Sequence, residues 1–463
     1  MIQIILNLNY RRTKQVSALI GIGLALFIIG ILSALYPNSS IAIMATSILV
    51  LITLGLLTRP IWICYLVVFF TPLISGMPRG GFIPLFRPNE PLLIGLFGIL
   101  IIRKLFNAKE GIKIRITPVD RSFVVLLVGG TIIPMIAYIA RQGKINLDGI
   151  FIYISVIQYY LVYRIVIETV KSKEEVINVI KLALVAGIIV SLVGLLEALR
   201  IPLVESYLLA FYPSAHLLKT LEINRIVSIL GNWHALAAFT LMQLTIVAIY
   251  LFRGDGIIKR KLLLLSGASN LVSMVPIVSL AGVAGFGAMA VSFILWVRSS
   301  WKAILLSGII LIFALSLFWP YVQERIEFQF GDSDGLLPRT GIGRLNKWST
   351  VFWPVIKDNL VFGFGPLIPE EFAWHFFESQ YIAVLFKGGL IYLFTHIYFV
   401  IFIAYYLYHK FRTDYTVAGL NALCALIFLI IISVMGFANE YFTYSGVMEV
   451  FWIFLGLATI QAR

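Results

Sequence analysis

The chain has 463 residues, 60% hydrophobic and 13% charged, with a formal net charge of +14 and a mean hydropathy of +0.97. Soluble domains average roughly 45 to 50% apolar and about 25% charged residues, so this composition excludes a water-soluble globule and puts the apolar excess against lipid. The 36 basic residues lie mostly in short clusters between apolar runs, a pattern of cytoplasmic membrane loops rather than of a nucleic-acid face.

At the N-terminus, Arg11, Arg12 and Lys14 precede an apolar run over 16–36. That run is longer than a signal-peptide core, and Pro37-Asn38-Ser39-Ser40 is a poor cleavage site, so it reads as a retained first helix. A span needs about 20 residues. The candidates are 16–36, 40–58, 61–76, 91–106, 122–140, 150–170, 175–199, 227–252, 262–280, 283–298, 303–319, 381–408, 416–435 and 446–460, fourteen in all. Three of them, 61–76, 91–106 and 446–460, are short, and 262–280 is parted from 283–298 only by Ala281 and Gly282, which leaves twelve as the other count.

The expected fold is therefore an all-α polytopic membrane protein with a single integral membrane domain. Residues 1–319 carry helices 1–11, residues 320–380 form a long periplasmic loop with an amphipathic helix, and residues 381–463 carry helices 12–14. Basic residues such as Arg59, Arg103, Lys104, Lys171, Lys259, Arg260, Lys410 and Arg412 fall on one side, and most acids on the other, which places both termini in the cytoplasm. The mildly basic outside loops, with Arg79 and Arg87 and with Arg141 and Lys144, run against that bias.

Cys64 and Cys424 sit inside apolar segments and read as packing residues, without disulfide or metal-ligand spacing. Glu168, Lys181, Glu197, Lys387 and Glu449 also fall within spans, where charge is costly, and are expected to face the bundle interior.

Three segments of the outside loops could carry chemistry. Arg225 precedes Ile226-Val227-Ser228-Ile229-Leu230-Gly231-Asn232-Trp233-His234, so its cation stands at the mouth of the next helix, with Gly231 and Asn232 permitting an irregular turn. Taken singly, Arg225 reads as an interfacial anchor and His234 as a hydrogen-bonded intramembrane residue. From Arg344 to Trp353 the apolar residues share one helical face, Lys347 falls off it, and Arg344 and Trp348 share a side. Pro354 is expected to kink this helix and Gly363-Phe364-Gly365-Pro366 to end it. Arg344 either snorkels to lipid headgroups or presents its planar fork to a lipid-linked pyrophosphate.

The third segment, Trp374-His375-Phe376-Phe377-Glu378-Ser379-Gln380-Tyr381, leads into a helix carrying Lys387-Gly388-Gly389. Glu378 reads either as a helix-capping carboxylate or as a general base with His375 as partner. Glu440 and Tyr441, in the last outside loop, are expected to border the same cavity. Phosphate-loop, HExxH and GxSxG motifs are missing, and Gly282-Val-Ala-Gly-Phe-Gly287 lacks the strand a nucleotide fingerprint requires, which argues against ATP or a nucleotide sugar as direct substrate.

Between about residues 180 and 400, the ordered segments Arg225-x-x-Ser-Ile-Leu-Gly-Asn-Trp-His, Arg344-x-x-x-Trp348 with Gly363-Phe-Gly365-Pro, and Glu378-Ser-x-Tyr-Ile with Gly388-Gly389 resemble the O-antigen ligase and polysaccharide polymerase superfamily of bacterial inner membranes. The Gly194-Leu-Leu-Glu197 helix end and the long outside loop add to the likeness. The resemblance implies a metal-independent, nucleotide-independent enzyme of the inner membrane that acts on undecaprenyl-pyrophosphate-linked glycans at the periplasmic face. It assigns pyrophosphate binding to Arg225 and Arg344. The His-Asn pair of many ligases is replaced here by Glu378-Ser379, and the family's Ser-Arg-Gly by Ser279-Leu280-Ala281-Gly282, departures that point to a polymerase or a divergent branch.

The expectation is a glycosyltransferase without cofactor, in which Glu378 and His375 serve catalysis and Trp348, Trp353, Tyr381, His234 and Glu440 line the substrate. Its partners would be the lipid-linked glycan, the bilayer, a chain-length regulator and a flippase, with no nucleic acid. The alternatives are a transporter, either a lipid-linked oligosaccharide flippase or a small-anion carrier, whose ionisable residues should gather at mid-membrane, and a non-catalytic envelope scaffold.

Overall fold

The computed structural model describes residues 53–81, 86–106, 115–142, 147–214, 217, 225–277, 279–296, 316, 319–331, 338–372, 374 and 376–460. The chain divides into two compact units. Of the first, residues 1–63 with 98–112, only 53–63 and 98–106 are described, and they are mostly helical. The second unit, residues 64–97 with 113–463, holds the candidate site and the cavity described below.

The helices are α1 (Ile61–Ile74), α2 (Asn89–Phe106), α3 (Pro118–Leu127), α4 (Ile133–Gln142), α5 (Leu147–Thr169), α6 (Lys173–Ala198), α7 (Pro202–Phe211), α8 (Trp233–Arg253), α9 (Arg260–Ile277) and α10 (Leu280–Trp296). There follow α11 (Trp319–Phe330), α12 (Arg339–Lys347), α13 (Trp353–Asp358), α14 (Gln380–Thr413), α15 (Val417–Met435) and α16 (Val447–Thr459). No strand occurs among the described residues. Local chemistry sets several starts. Thr117 with Asp120, and Ser172 with Glu175, form capping boxes that satisfy orphan amides of α3 and α6, while Asn232 and Thr416 cap α8 and α15.

Among the described residues six helical stretches are long and apolar enough to cross a membrane: Pro118–Arg141, which joins α3 and α4 through a π turn, Phe151–Thr169 within α5, and α6, α8, α14 and α15. Burial separates centre from periphery: 78% of the apolar window is buried in α8 and in α15, against 22% in α14. The short α16 is buried throughout and packs on α15 and α5. The interior of the second unit is thus α8, α15 and α16, while α14 shows most of its surface to the surroundings, as a lipid-facing helix does.

The expected spans 16–36 and most of 40–58 and 303–319 lie outside the described residues. The expected pair 262–280 and 283–298 forms two helices, but the first ends at Ile277 and the second begins at Leu280; Ala281 and Gly282 lie inside α10. The expected loop 200–226 contains α7, begun by Pro202 at a position where proline needs no amide partner. Four of the five intramembrane ionisable residues find named partners: Glu168 with Arg164 at 2.5 Å, Glu197 with backbone amides, Lys387 with Glu440 at 2.7 Å, and Glu449 with Asn89 at 3.1 Å. Lys181 reaches only Asn178, at 3.4 Å.

The long-loop helix differs from the expected single run. A five-residue π turn, Trp348–Phe352, joins α12 to α13, and Pro354 fits without harm in the first turn of α13. The irregularity observed is therefore the wide π turn that precedes the proline, a feature often found at functional sites. Phe352 and Ile356, both fully buried, pack with Phe377, Ala383 and Phe386 against the first half of α14. Trp353 instead stays half exposed.

α14 itself is broken at Gly389, where φ is 63° and ψ −157°. The 360–365 segment docks into the break. Leu360 O accepts from Leu390 N at 2.8 Å, and Phe386 O accepts from Phe364 N at 2.6 Å. Tyr153 Oη donates to Lys387 O at 2.7 Å, and Arg141 donates to Gly363 O and to Asn359 Oδ1. A Cβ at Gly363 would strike the Gly388 backbone, so the two glycine motifs meet backbone to backbone.

Candidate functional site

The site grows from three backbone arrangements at one end of the bundle. In the first, the Glu197 carboxylate at the end of α6 accepts from Val227 N at 3.1 Å and from Ser228 N at 2.7 Å. Ser228 takes a left-handed φ of 51°, and its Oγ donates to Val190 O at 2.7 Å. Gly194 leaves room for Ile226 and Ser228, since a Cβ there would crowd both. This anchored turn holds the buried Arg225 with its guanidinium over the Trp233 ring, 4.9 Å from the centroid, a cation–π stack. Gly231 then turns with φ 65°, and Asn232 Oδ1 accepts from His234 N at 2.7 Å to open α8.

In the second arrangement, Arg344 and Trp348 reach the same short segment from one side of the loop helix. Arg344 Nε donates to Glu378 Oε2 at 3.1 Å, and Trp348 Nε1 donates to Phe377 O at 2.8 Å. Lys347, expected off the apolar face, lies over the Trp374 ring. Glu378 sits at φ 51°, a conformation that costs a non-glycine residue about 1 to 3 kcal/mol. Ser379, not Glu378, occupies the N-cap of α14, and the Glu378 carboxylate goes to Arg344, which sets aside the capping role. Both side chains keep about a fifth to a quarter of their surface, 21% for Arg344 and 24% for Glu378. Among the described residues, neither terminal nitrogen of Arg344 nor Glu378 Oε1 has a protein hydrogen-bond partner.

The third arrangement is the 436–446 segment, which ties the first two together. Gly436 O accepts from Gln380 N at 2.7 Å, and Gln380 Oε1 accepts from Phe442 N at 3.3 Å. The buried Tyr441 hydroxyl lies 3.4 Å from His234 Nδ1, and Tyr444 lies beside Asn232. Burial pushes the Tyr441 phenol far above its ordinary range, with Arg344's charge opposing the rise, so it acts as a neutral hydrogen-bonding group.

A continuous line results: Arg225, Trp233, His234 and Tyr441 on one side, Arg344 with Glu378 on the other. Of the expected site residues, Arg225, Arg344, Trp348, His234 and Glu378 come together here, as does Tyr441. Three take other positions. Trp353 points away, half exposed. Tyr381 commits its hydroxyl to Ser433 O at 2.9 Å and its ring to Phe437. Glu440 pairs with Lys387. His375 lies outside the described residues. Gln380, Asn232 and Tyr444 are members that the sequence did not single out: Asn232 read there only as a turn residue, and only the proximity of Gln380 to Glu378 hinted at its place. Among the described residues no three of His, Cys, Asp and Glu gather as metal ligands would.

Beyond Gln380 and Tyr444 lies a cavity of about 280 Å³, lined in part by Arg79, Arg87, Lys387, Tyr392, His396 and Trp452. The chain matches no protein-family model, and no curated protein matches it either.

Proposed function

We propose that the protein is a membrane glycosyltransferase that polymerises or transfers undecaprenyl-pyrophosphate-linked oligosaccharide repeats, of the O-antigen and exopolysaccharide polymerase or ligase type. The observation that carries this reading is the Arg344–Glu378 pair, a carboxylate with a free oxygen beside a guanidinium with two free nitrogens, joined to the Arg225 turn through residues 436–446. In the reaction, Glu378 takes the proton of an acceptor hydroxyl and that oxygen bonds the anomeric carbon. The pyrophosphate leaves with the electron pair of the broken bond. Fixed cations placed where charge develops are an effective form of such stabilisation, and Arg225 and Arg344 fill that role. His234 and Tyr441 orient the sugar. The proposal includes fourteen spans in the bacterial inner membrane, cytoplasmic termini, and the site at the periplasmic face.

A transporter would leave the ends of a broken helix open to its substrate. Here residues 360–364 and Tyr153 occupy the break in α14, so the helix interruption offers no vacant coordination to a transported ion. Arg344→Ala and Glu378→Gln should each abolish polymer formation from radiolabelled lipid-linked repeats in proteoliposomes, while the protein still inserts. Normal chain length in both variants, or protected translocation without elongation, would sink the assignment.

A further inference from the structure

The cavity beside the site carries a different chemistry. Arg79, Arg87 and Lys387 line it, and among the described residues no carboxylate does. Arg79 pairs with Glu90 and Lys387 with Glu440, and neither acid is among the described lining residues, so the charged groups that face the cavity are cations. Arg87 makes no ion pair among the described residues; its Nη1 donates to Ser445 Oγ at 3.3 Å. Gln158 and His396, each more than nine-tenths buried, also line the cavity, and Gln158 Oε1 and His396 Nε2 have no hydrogen-bond partner there. Unsatisfied buried polar groups of this kind are costly and call for a partner.

The lining changes along each wall. Down α14 it passes from Lys387 through Tyr392 and His396 to Phe399, and from Tyr444, just before α16, it runs down that helix through Met448 to Trp452. Phe399 and Trp452 stack at 5.7 Å, closing the apolar end, roughly 10 Å below Tyr392 at the helical rise. Ile152 and Val156 of α5 form a further wall, and Ile152 is exposed to the surroundings. At about 280 Å³ the cavity lies just below the usual ligand-pocket range of about 300 to 1,000 Å³, enough for a headgroup and the start of a chain but not a whole lipid.

We propose that this cavity binds a phosphate-bearing lipid, with the phosphate between Arg79, Arg87 and Lys387 and the first part of the chain against Phe399, Met448 and Trp452. The planar guanidinium of Arg87 suits a phosphate, and Tyr392 offers a phenol to its oxygens. The site stands apart from the transfer reaction and does not depend on it.

The test uses full-length protein in a maltoside detergent, which carries no phosphate, in the Arg344→Ala background so that the neighbouring cluster cannot hold the probe. Undecaprenyl phosphate and phosphatidylglycerol are titrated and bound lipid is read by native mass spectrometry. At least one should bind saturably; Arg87→Ala should weaken it tenfold or more, and Arg87→Lys less. Val156→Trp, which fills the cavity without removing a charge, should abolish binding and covers the case in which Arg87→Ala fails to fold. Binding unchanged in both folded variants overturns the proposal. So does displacement of the lipid by inorganic pyrophosphate at equal concentration, since the apolar wall would then contribute nothing. Failure of the glycosyltransferase assay alone would leave this result intact, and the reverse holds as well.

Discussion

Two glutamates of this chain show how position decides what a carboxylate does. Glu197, buried at the end of α6, spends both oxygens on the Val227 and Ser228 amides and so fixes the turn that carries Arg225. Glu378 is partly exposed, shares one oxygen with Arg344 and keeps the other. Removing the first should therefore cost stability, and removing the second should cost chemistry. Glu197→Ala leaves two amides unsatisfied next to a left-handed Ser228, a loss of about 1 to 3 kcal/mol, seen as a lower thermal transition in detergent. Glu197→Gln, which keeps one acceptor, should fall between. Glu378→Gln should leave the transition nearly unchanged while transfer stops. A transition lowered more by Glu378→Gln than by Glu197→Ala would reverse these roles.

At the scale of elements, the broken α14 joins the two glycine motifs. Gly389 holds φ 63°, and a Cβ there would press on Val361 O and Leu360 O, whereas Gly287 in α10 has nothing within 4 Å of its Cβ position. Gly389→Ala should cost at least about 1 to 3 kcal/mol from the backbone alone, and Gly287→Ala should gain up to about 1 kcal/mol of helix propensity. Thermal unfolding of both variants tests the contrast; equal transitions would show that the break is not clamped. The sequence made part of this legible. Hydropathy marked the long apolar helices, and the spacing of Arg344 and Trp348 placed both on the side that meets residues 377–378. The π turn at Trp348–Phe352 was not legible, because Pro354 offered a simpler reason for a bend. Neither was the backbone docking of residues 360–365 into α14, since main-chain pairing leaves no mark beyond the glycines that permit it. Arg79 and Arg87 looked like blemishes in the charge bias, and only the walls around them reveal a shared cavity.

For the whole molecule, the proposed orientation rests on α14 crossing the membrane, with the loop helix at its start and basic residues at its end. Lys410 and Arg412 lie in its last turn, consistent with a cytoplasmic terminus. Labelling can decide this cleanly, because both native cysteines, Cys64 and Cys424, are buried and should give little background. Ser349 and Thr413 are exposed at either end of the α12–α14 assembly. Ser349→Cys should react with a membrane-impermeant maleimide in intact spheroplasts, and Thr413→Cys only after permeabilisation. Reaction of both in intact spheroplasts would remove α14 as a span. The reverse pattern would put the Arg225, Arg344 and Glu378 cluster on the cytoplasmic face, away from periplasmic lipid-linked glycans, and the proposed reaction would lose its substrate.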